Sequence, residues 1–205
     1  MVDIIKYGNF KGFGKPKKKR QIILCHTSRE VGEYLTSLKF RCNGKYKKIP
    51  NYVISQEGVI YELLNPKYSL EFFSENSMKN SGISIVLENL GWLNKKPLSS
   101  FYLNWFGNIY KQEVYEKKWR DYNFWQPYTN EQIIKTAQLC KMLCKDLEIP
   151  NKFVGHNVKV DGIELFQGVT TRSNYHQRYT DVSPAFDFDT FKKELENEQL
   201  YEREI

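Results

Sequence analysis

The chain has 205 residues, of which 40% are hydrophobic and 27% are charged. This composition fits one globular domain, or one domain with an insertion, and excludes a disordered or membrane-spanning protein. The net charge of +7 suits a polyanion such as nucleic acid, teichoic acid or an anionic membrane surface. Most basic residues are spread along the chain, so binding to nucleic acid is a weak alternative and membrane insertion is not expected.

The first twenty residues are rich in glycine and lysine and are interpreted as a basic arm or loop rather than a packed element. They contain no unbroken apolar stretch and end in Lys17-Lys18-Lys19-Arg20, whereas a signal peptide carries its positive charge before its apolar run. We therefore expect the protein to be made in the cytoplasm of the producing cell.

Four elements are predicted in the first half of the chain. The apolar run 21–25 indicates a buried strand, and apolar residues at helical spacing predict a helix over 29–39. Two β-rich runs around a turn ending in Gly58 predict a hairpin over 52–63. The segment 81–88 becomes solidly apolar, which is typical of a central strand.

An aromatic-rich insertion is predicted at about 92–128, with a short strand or hairpin inside it. The insertion holds all four tryptophans, which are Trp92, Trp105, Trp119 and Trp125. Their rings could line a groove for a glycan, or they could fill the core of the insertion. The sequence leaves both interpretations open.

The second half of the chain predicts a long helix over 129–147, capped by Thr129 and stopped by Pro150. A short strand over 153–156, a long loop and a final helix over about 189–198 follow. This order predicts an α/β fold with a single mixed central sheet flanked by helices. The domain is expected to cover 21–192, with a charged tail over 193–205.

Cysteines and histidines supply the candidate ligands. Cys140 and Cys144 lie four residues apart on the long helix and are expected to be buried thiols without a disulfide. His26 and His156 each stand where a predicted strand gives way to a loop. His156 and Asp181, with a third ligand from Cys25 or His26, predict a catalytic zinc site, because such a site needs three protein ligands and an open position for water.

Five segments in order resemble the type 2 N-acetylmuramoyl-L-alanine amidases, the family of phage lysozyme-amidases and peptidoglycan recognition proteins. Residues 22–28 (IILCHTS) resemble its first metal strand, 51–61 its hairpin and 85–91 a central strand with an acidic residue. Residues 154–156 (VGH) resemble the second metal ligand, and 180–188 (TDVSPAFDF) the closing segment with the third. The resemblance covers about 21–192 and implies the amidase fold and a Zn²⁺ cofactor.

The resemblance also assigns roles, with several departures from the family pattern. The register of the first ligand falls on Cys25, and a shift of one residue would present His26; because neighbouring strand residues point to opposite faces, only one of them can bind the metal. His156 and Asp181 are the other implied ligands. Tyr179 stands where many members have a lysine that stabilises the oxyanion, with Arg178 adjacent. General acid–base work is assigned to Glu88, because Pro50 replaces a catalytic tyrosine of the family.

The implied function is zinc-dependent hydrolysis of the amide between N-acetylmuramic acid and L-alanine in peptidoglycan. The protein would then be a bacteriolytic endolysin of bacteriophage type, released from the infected cell to reach the wall. The alternative is a peptidoglycan-binding or phage structural protein that keeps the fold without the catalysis. The sequence gives no indication of the oligomeric state.

Overall fold

The computed structural model describes residues 2–10, 16–69 and 71–197. It has eleven strands in chain order: β1 Ile4–Lys6, β2 Gln21–His26, β3 Tyr52–Ile54, β4 Ile60–Glu62, β5 Gly82–Leu87, β6 Trp92–Lys95, β7 Tyr102–Leu103, β8 Ile109–Tyr110, β9 Tyr115–Trp119, β10 Tyr122–Trp125 and β11 Gly168–Thr171. The α-helices are α1 Val31–Phe40, α2 Asn76–Ser81, α3 Asn130–Asp146 and α4 Phe188–Glu196. The α/β class and the main predicted elements are confirmed.

The main sheet has six strands in the order β1-β4-β3-β5-β2-β11. β2 lies between β5 and β11 and pairs in parallel with both of them. Its residues Ile22, Ile23 and Leu24 are fully buried, as expected of a strand covered on both faces.

The two faces of β2 contact different helices. Ile22 and Leu24 pack in the cluster formed with α3 and α4, whereas Ile23 and Cys25 pack with residues of α1 and α2. The alternation follows from the period of two along a strand. It decides which face each side chain at the end of β2 can serve.

The helices α1, α3 and α4 begin and end within a few residues of their predicted bounds, whereas the short α2 was not predicted. Thr129 caps α3, with its hydroxyl oxygen accepting from the amide of Gln132 at 3.1 Å. The apolar face of α3, including the fully buried Leu139 and Cys140, packs on the sheet. Cys140 and Cys144 are buried free thiols, as expected.

The prediction of a single sheet was wrong, because the described residues form two. The aromatic-rich insertion builds its own antiparallel sheet of five strands, in the order β8-β7-β6-β10-β9. A small core of Leu90, Leu93 and Tyr110 lies under it, with Tyr102, Val114 and Phe124 packed alongside. The insertion therefore has enough apolar residues to bury one face of a separate sheet.

Two further expectations need correction. Ile4–Lys6 was expected to be part of an unpacked arm, but it pairs in parallel with β4, and its apolar Ile4 packs against the core. Residues 153–156 do not form a strand, since only Phe153 bridges to Val169. The place beside β2 is taken by β11, in the segment that was predicted as a loop. Residues 11–15 of the arm and 198–205 of the tail lie outside the described residues.

None of the helices in the described part of the chain is both long and apolar enough to cross a lipid bilayer.

Candidate active site

Three parallel strands end at one edge of the main sheet and present polar side chains there. β2 ends with Cys25 and His26, Glu88 follows β5, and Arg172 follows β11. Because β2, β5 and β11 are parallel neighbours, their carboxyl ends meet at this edge. Such an edge is where α/β sheets commonly present functional groups.

Cys25, Arg172 and Asp181 form the centre of this edge. Cys25 is 1% exposed and lies beside the carboxyl group of Asp181, which is 4% exposed. Arg172 Nη1 lies 3.7 Å from Asp181 Oδ2. The chain at Asp181 is fixed by the amide of Ser173, which donates to the Asp181 carbonyl at 2.8 Å.

The electrostatics of this centre favour a protonated thiol and a charged guanidinium. Burial raises the pKa of Cys25 well above its usual value, and the negative charge of Asp181 raises it further. Burial alone would lower the pKa of Arg172, but Asp181, Cys25 and Tyr179 together outweigh it and raise the pKa. The guanidinium carbon also lies 4.0 Å from the ring centroid of Tyr179, a cation–π contact.

His26 points away from this centre, towards the face that α3 covers. Its Nδ1 lies 3.4 Å from the hydroxyl oxygen of Tyr128, and its ring contacts the backbone at Gly91. Burial lowers the pKa of His26, with the positive charge of Arg172 lowering it and Asp181 raising it. The His26 ring therefore packs on the face of the sheet that α3 covers.

His156 is exposed and lies apart from Cys25 and Asp181. Its Nδ1 accepts from the amide of Val158 at 3.3 Å, and its carbonyl accepts from Asn174 Nδ2 at 2.9 Å. These bonds shape the loop that follows Phe153. Within the described ranges, no group of three or more His, Cys, Asp or Glu side chains is arranged to hold a metal ion.

Glu88 joins three segments at the sheet edge. Its Oε1 accepts from the amide of Val31 at 2.8 Å, and its Oε2 accepts from the amide of Gln56 at 2.9 Å. The carboxylate thus sits at the first residue of α1, where the helix dipole favours a negative charge. Glu88 is 8% exposed and lines a groove of about 620 Å³ with Arg29, Glu30, Glu33, Tyr110 and Gln126.

Tyr179 and Arg178 belong to the segment that connects Arg172 to Asp181. The Tyr179 hydroxyl donates to Glu75 Oε1 at 3.0 Å, and burial raises the pKa of Tyr179 above its usual value. Arg178 is exposed and lines a second cavity, of about 570 Å³, together with Trp92, Tyr122 and Arg120. Neither side chain faces Glu88 across a common cavity among the described residues.

Arg172 is the functional candidate that the sequence did not single out. The signal was present, because Gly168 is followed by Val169-Thr170-Thr171, a β-rich run that ends directly before Arg172. That run lies within the segment taken as a loop. The apolar residues at 153–156 had instead been predicted as the strand, whereas only Phe153 bridges to Val169.

Comparisons with known proteins identify the family to which the chain belongs. A family model described as N-acetylmuramoyl-L-alanine amidase matches residues 15–172, and the chain belongs to this family. The matched range contains β2, β3 and β5, and it ends at Arg172. Comparison with curated proteins gave no match.

Solved structures of amidases and endolysins share the fold. The endolysin amidase LysCS of Clostridium intestinale superposes with a TM-score of 0.57 at 10% identity, covering 95% of this chain and 96% of its own. Escherichia coli AmiD, in complex with an anhydro-N-acetylmuramic acid peptide, gives 0.53 at 15% identity over 88% of this chain and 58% of its own. Staphylococcus aureus AmiA with its ligand gives 0.52 at 10% identity, over 94% and 83%.

The residues of this chain do not fit the zinc ion that the resemblance implies. Cys25 and Asp181 are neighbours, but the third position beside them is held by Arg172, whose guanidinium is always charged and has no lone pair to donate. His26 faces the other side of β2, and His156 is exposed in its own loop. A zinc centre needs three ligands at bonding distance, and this edge supplies two.

Proposed function

We propose that the protein acts on bacterial peptidoglycan, engaging the junction between N-acetylmuramic acid and L-alanine. The family match over 15–172 is the observation that carries this proposal. The described fold supports it, because Glu88, directly after β5, lines a groove of about 620 Å³ at the carboxyl end of the sheet. AmiD, which shares the fold, was solved with a ligand of this chemistry.

Amide hydrolysis is the activity that family membership supports. It would release the lactyl carboxylate of the sugar and a new free amino group on L-alanine. In the zinc-dependent form, Cys25 or His26 would bind the metal with His156 and Asp181. Glu88 would transfer the proton, and Tyr179 or Arg178 would stabilise the oxyanion.

Recognition of the wall without cleavage is the second candidate. The observation that favours it is the ion pair of Arg172 with Asp181. This pair lies where a zinc hydrolase would need a metal ion with an open coordination position. The role of Glu88 as a bridge between Val31 and Gln56 is consistent with a structural carboxylate. An endolysin released after infection and a virion protein that docks on the wall would both use such recognition.

One experiment on purified sacculi separates these outcomes. The protein is mixed with intact sacculi, and co-sedimentation and new N-terminal alanine are measured in the same sample. Sacculi stripped of their stem peptides by another amidase are the matched control. Binding with new N-terminal alanine supports hydrolysis, and binding to intact sacculi without it supports recognition. Equal or absent binding to both preparations contradicts the proposal that the junction is engaged.

A further inference from the structure

The register between β2 and β11 brings an arginine next to Cys25 and Asp181, two of the predicted metal ligands. Thr171 pairs with Leu24, so the next residue on each strand is Arg172 beside Cys25. Residues in register on neighbouring strands point to the same face of a sheet. Arg172 therefore shares the α1 face with Cys25, whose pKa responds to the charge of the guanidinium.

We infer that the guanidinium of Arg172 replaces the metal ion of the family, so that this centre carries its own fixed cation and binds no zinc. The guanidinium pairs with Asp181 and lies over the ring of Tyr179, and the strand register places Arg172 beside Cys25. This set gives one positive and one negative charge around a protonated thiol. The centre balances its charge without any added ion.

A zinc ion would meet three obstacles in this centre. It would have to displace or approach a buried guanidinium, which repels a divalent cation strongly at short range. It would also have to reach Cys25, which is only 1% exposed. Finally, it would find only the Cys25 and Asp181 side chains as donors, fewer than the three protein ligands of a catalytic site.

The same geometry predicts that one substitution restores a metal site. In the Arg172→His variant, an imidazole follows β11 on the face of Cys25, and Asp181 loses its cationic partner. Cysteine, histidine and aspartate are all zinc ligands, and removal of the fixed charge lets the thiol ionise on the metal. The expected product is a three-ligand centre with an open position.

The test measures metal content and the absorption of cobalt complexes, neither of which depends on wall binding or cleavage. The full chain is equilibrated with Zn²⁺, freed of loose metal by gel filtration and analysed by mass spectrometry. We expect essentially no zinc in the wild type and about one zinc ion per chain in Arg172→His. With Co²⁺, the variant should show a thiolate charge-transfer band that disappears in Arg172→His/Cys25→Ser.

Matched variants control for the loss of charge. Arg172→Gln removes the cation without adding a ligand, and Arg172→Lys keeps the charge; both should stay free of zinc. A wild-type protein that holds about one zinc, lost in Cys25→Ser or Asp181→Asn, would overturn the inference. So would a folded Arg172→His variant, as shown by circular dichroism, that takes up no more zinc than Arg172→Gln. If that variant does not fold, the wild-type zinc content still decides the question.

Discussion

Arg172 and Asp181 form a buried ion pair that lacks a direct hydrogen bond. Nη1 and Oδ2 are 3.7 Å apart, and both Arg172 Nε and Asp181 Oδ2 are buried without a hydrogen-bond partner in the structure. The pair therefore depends on charge and on the stacking of Arg172 over Tyr179. Removal of one partner leaves the other charge uncompensated in a poorly solvated site.

The first prediction tests how strongly the free energy of unfolding depends on this ion pair. Arg172→Met should lower the free energy of unfolding by about 3 kcal/mol, because Asp181 remains buried without its cation. Asp181→Asn should cost less, about 1–2 kcal/mol, because the Arg172 side chain is 32% exposed. In urea unfolding, the double variant should lose less than the sum of the single losses.

An exposed ion pair provides the control for that cycle. Lys159 Nζ lies only 2.6 Å from Asp161 Oδ1, but the two side chains are 46% and 90% exposed. Lys159→Met should therefore cost under about 0.5 kcal/mol. Strict additivity at Arg172 and Asp181, or an equally large loss at Lys159, would contradict the central role of the buried pair.

The second prediction concerns the two hydrogen bonds that the Glu88 carboxylate accepts from backbone amides. Glu88→Ala leaves the amides of Val31 and Gln56 without acceptors and should cost about 2–3 kcal/mol of stability. Glu88→Gln keeps one carbonyl oxygen and should cost about half as much. Both are measured by urea unfolding. If cleavage of sacculi occurs, a folded Glu88→Gln variant that cleaves at the full rate would remove Glu88 as the proton carrier.

The sequence predicted the helices and the central strands because their periods are long and their apolar faces are unbroken. The aromatic-rich insertion was harder, since its strands are only 2–5 residues long and their pairing depends on contacts distant in sequence. The site shows the same division. Asp181 was identified from the sequence and lies beside Arg172 at the sheet edge. The sequence could not say whether Cys25 or His26 faces it. Local patterns do not fix the register of β2 against β11, which places Arg172 beside Cys25.

The third prediction uses the reactivity of the thiols. At pH 8, only Cys42 of the native protein should react with a thiol reagent, because Cys25, Cys140 and Cys144 are buried. Burial raises the pKa of all three, that of Cys144 to about 12. In denaturant all four should react, and Cys42→Ser should leave the native protein unreactive. Rapid native labelling of Cys25 would show that the centre is open.

These thiols also set the direction of the alkaline response. A folded pKa above the unfolded value of about 8.5 means that the folded state retains its protons longer. The contribution to stability is therefore complete below about pH 8 and declines as the pH rises towards the folded pKa. Unfolding curves from pH 7 to 10 should show this decline, and replacement of Cys144 by Ala should reduce the slope.

The fourth prediction tests the aromatic surface as a glycan site. Trp92 stacks on Tyr122, with ring centroids 4.5 Å apart and planes 9° apart, at the cavity that also holds Arg120 and Arg178. If a sugar ring packs there, Trp92→Ala should weaken binding to sacculi about tenfold, the equivalent of about 1.4 kcal/mol. Co-sedimentation over a range of protein concentrations measures the change.

Another tryptophan of the insertion is the matched control. Trp105 is 46% exposed and donates from Nε1 to the carbonyl of Ser28 at 2.7 Å, outside that cavity. Trp105→Ala should leave the binding nearly unchanged. Trp125 is fully buried and would report on folding instead of binding. Equal losses for Trp92→Ala and Trp105→Ala would indicate a general effect of the insertion and remove the glycan groove.

The last prediction separates backbone strain from the packing of His26. Gly91 has a φ of +77°, and a Cβ built there would lie 2.8 Å from His26 Cε1. Gly162 has a nearly equal φ of +72°, but nothing lies within 4 Å of its Cβ position. Gly162→Ala should therefore cost about 1 kcal/mol from the left-handed backbone alone. Gly91→Ala should cost about 1–3 kcal/mol more, because the imidazole and Tyr128 must shift. Urea unfolding gives the two losses, and the His26 ring resonances in NMR spectra should move only in Gly91→Ala. Equal losses with an unmoved ring would mean that His26 does not pack against Gly91, which would contradict its assignment to the α3 face.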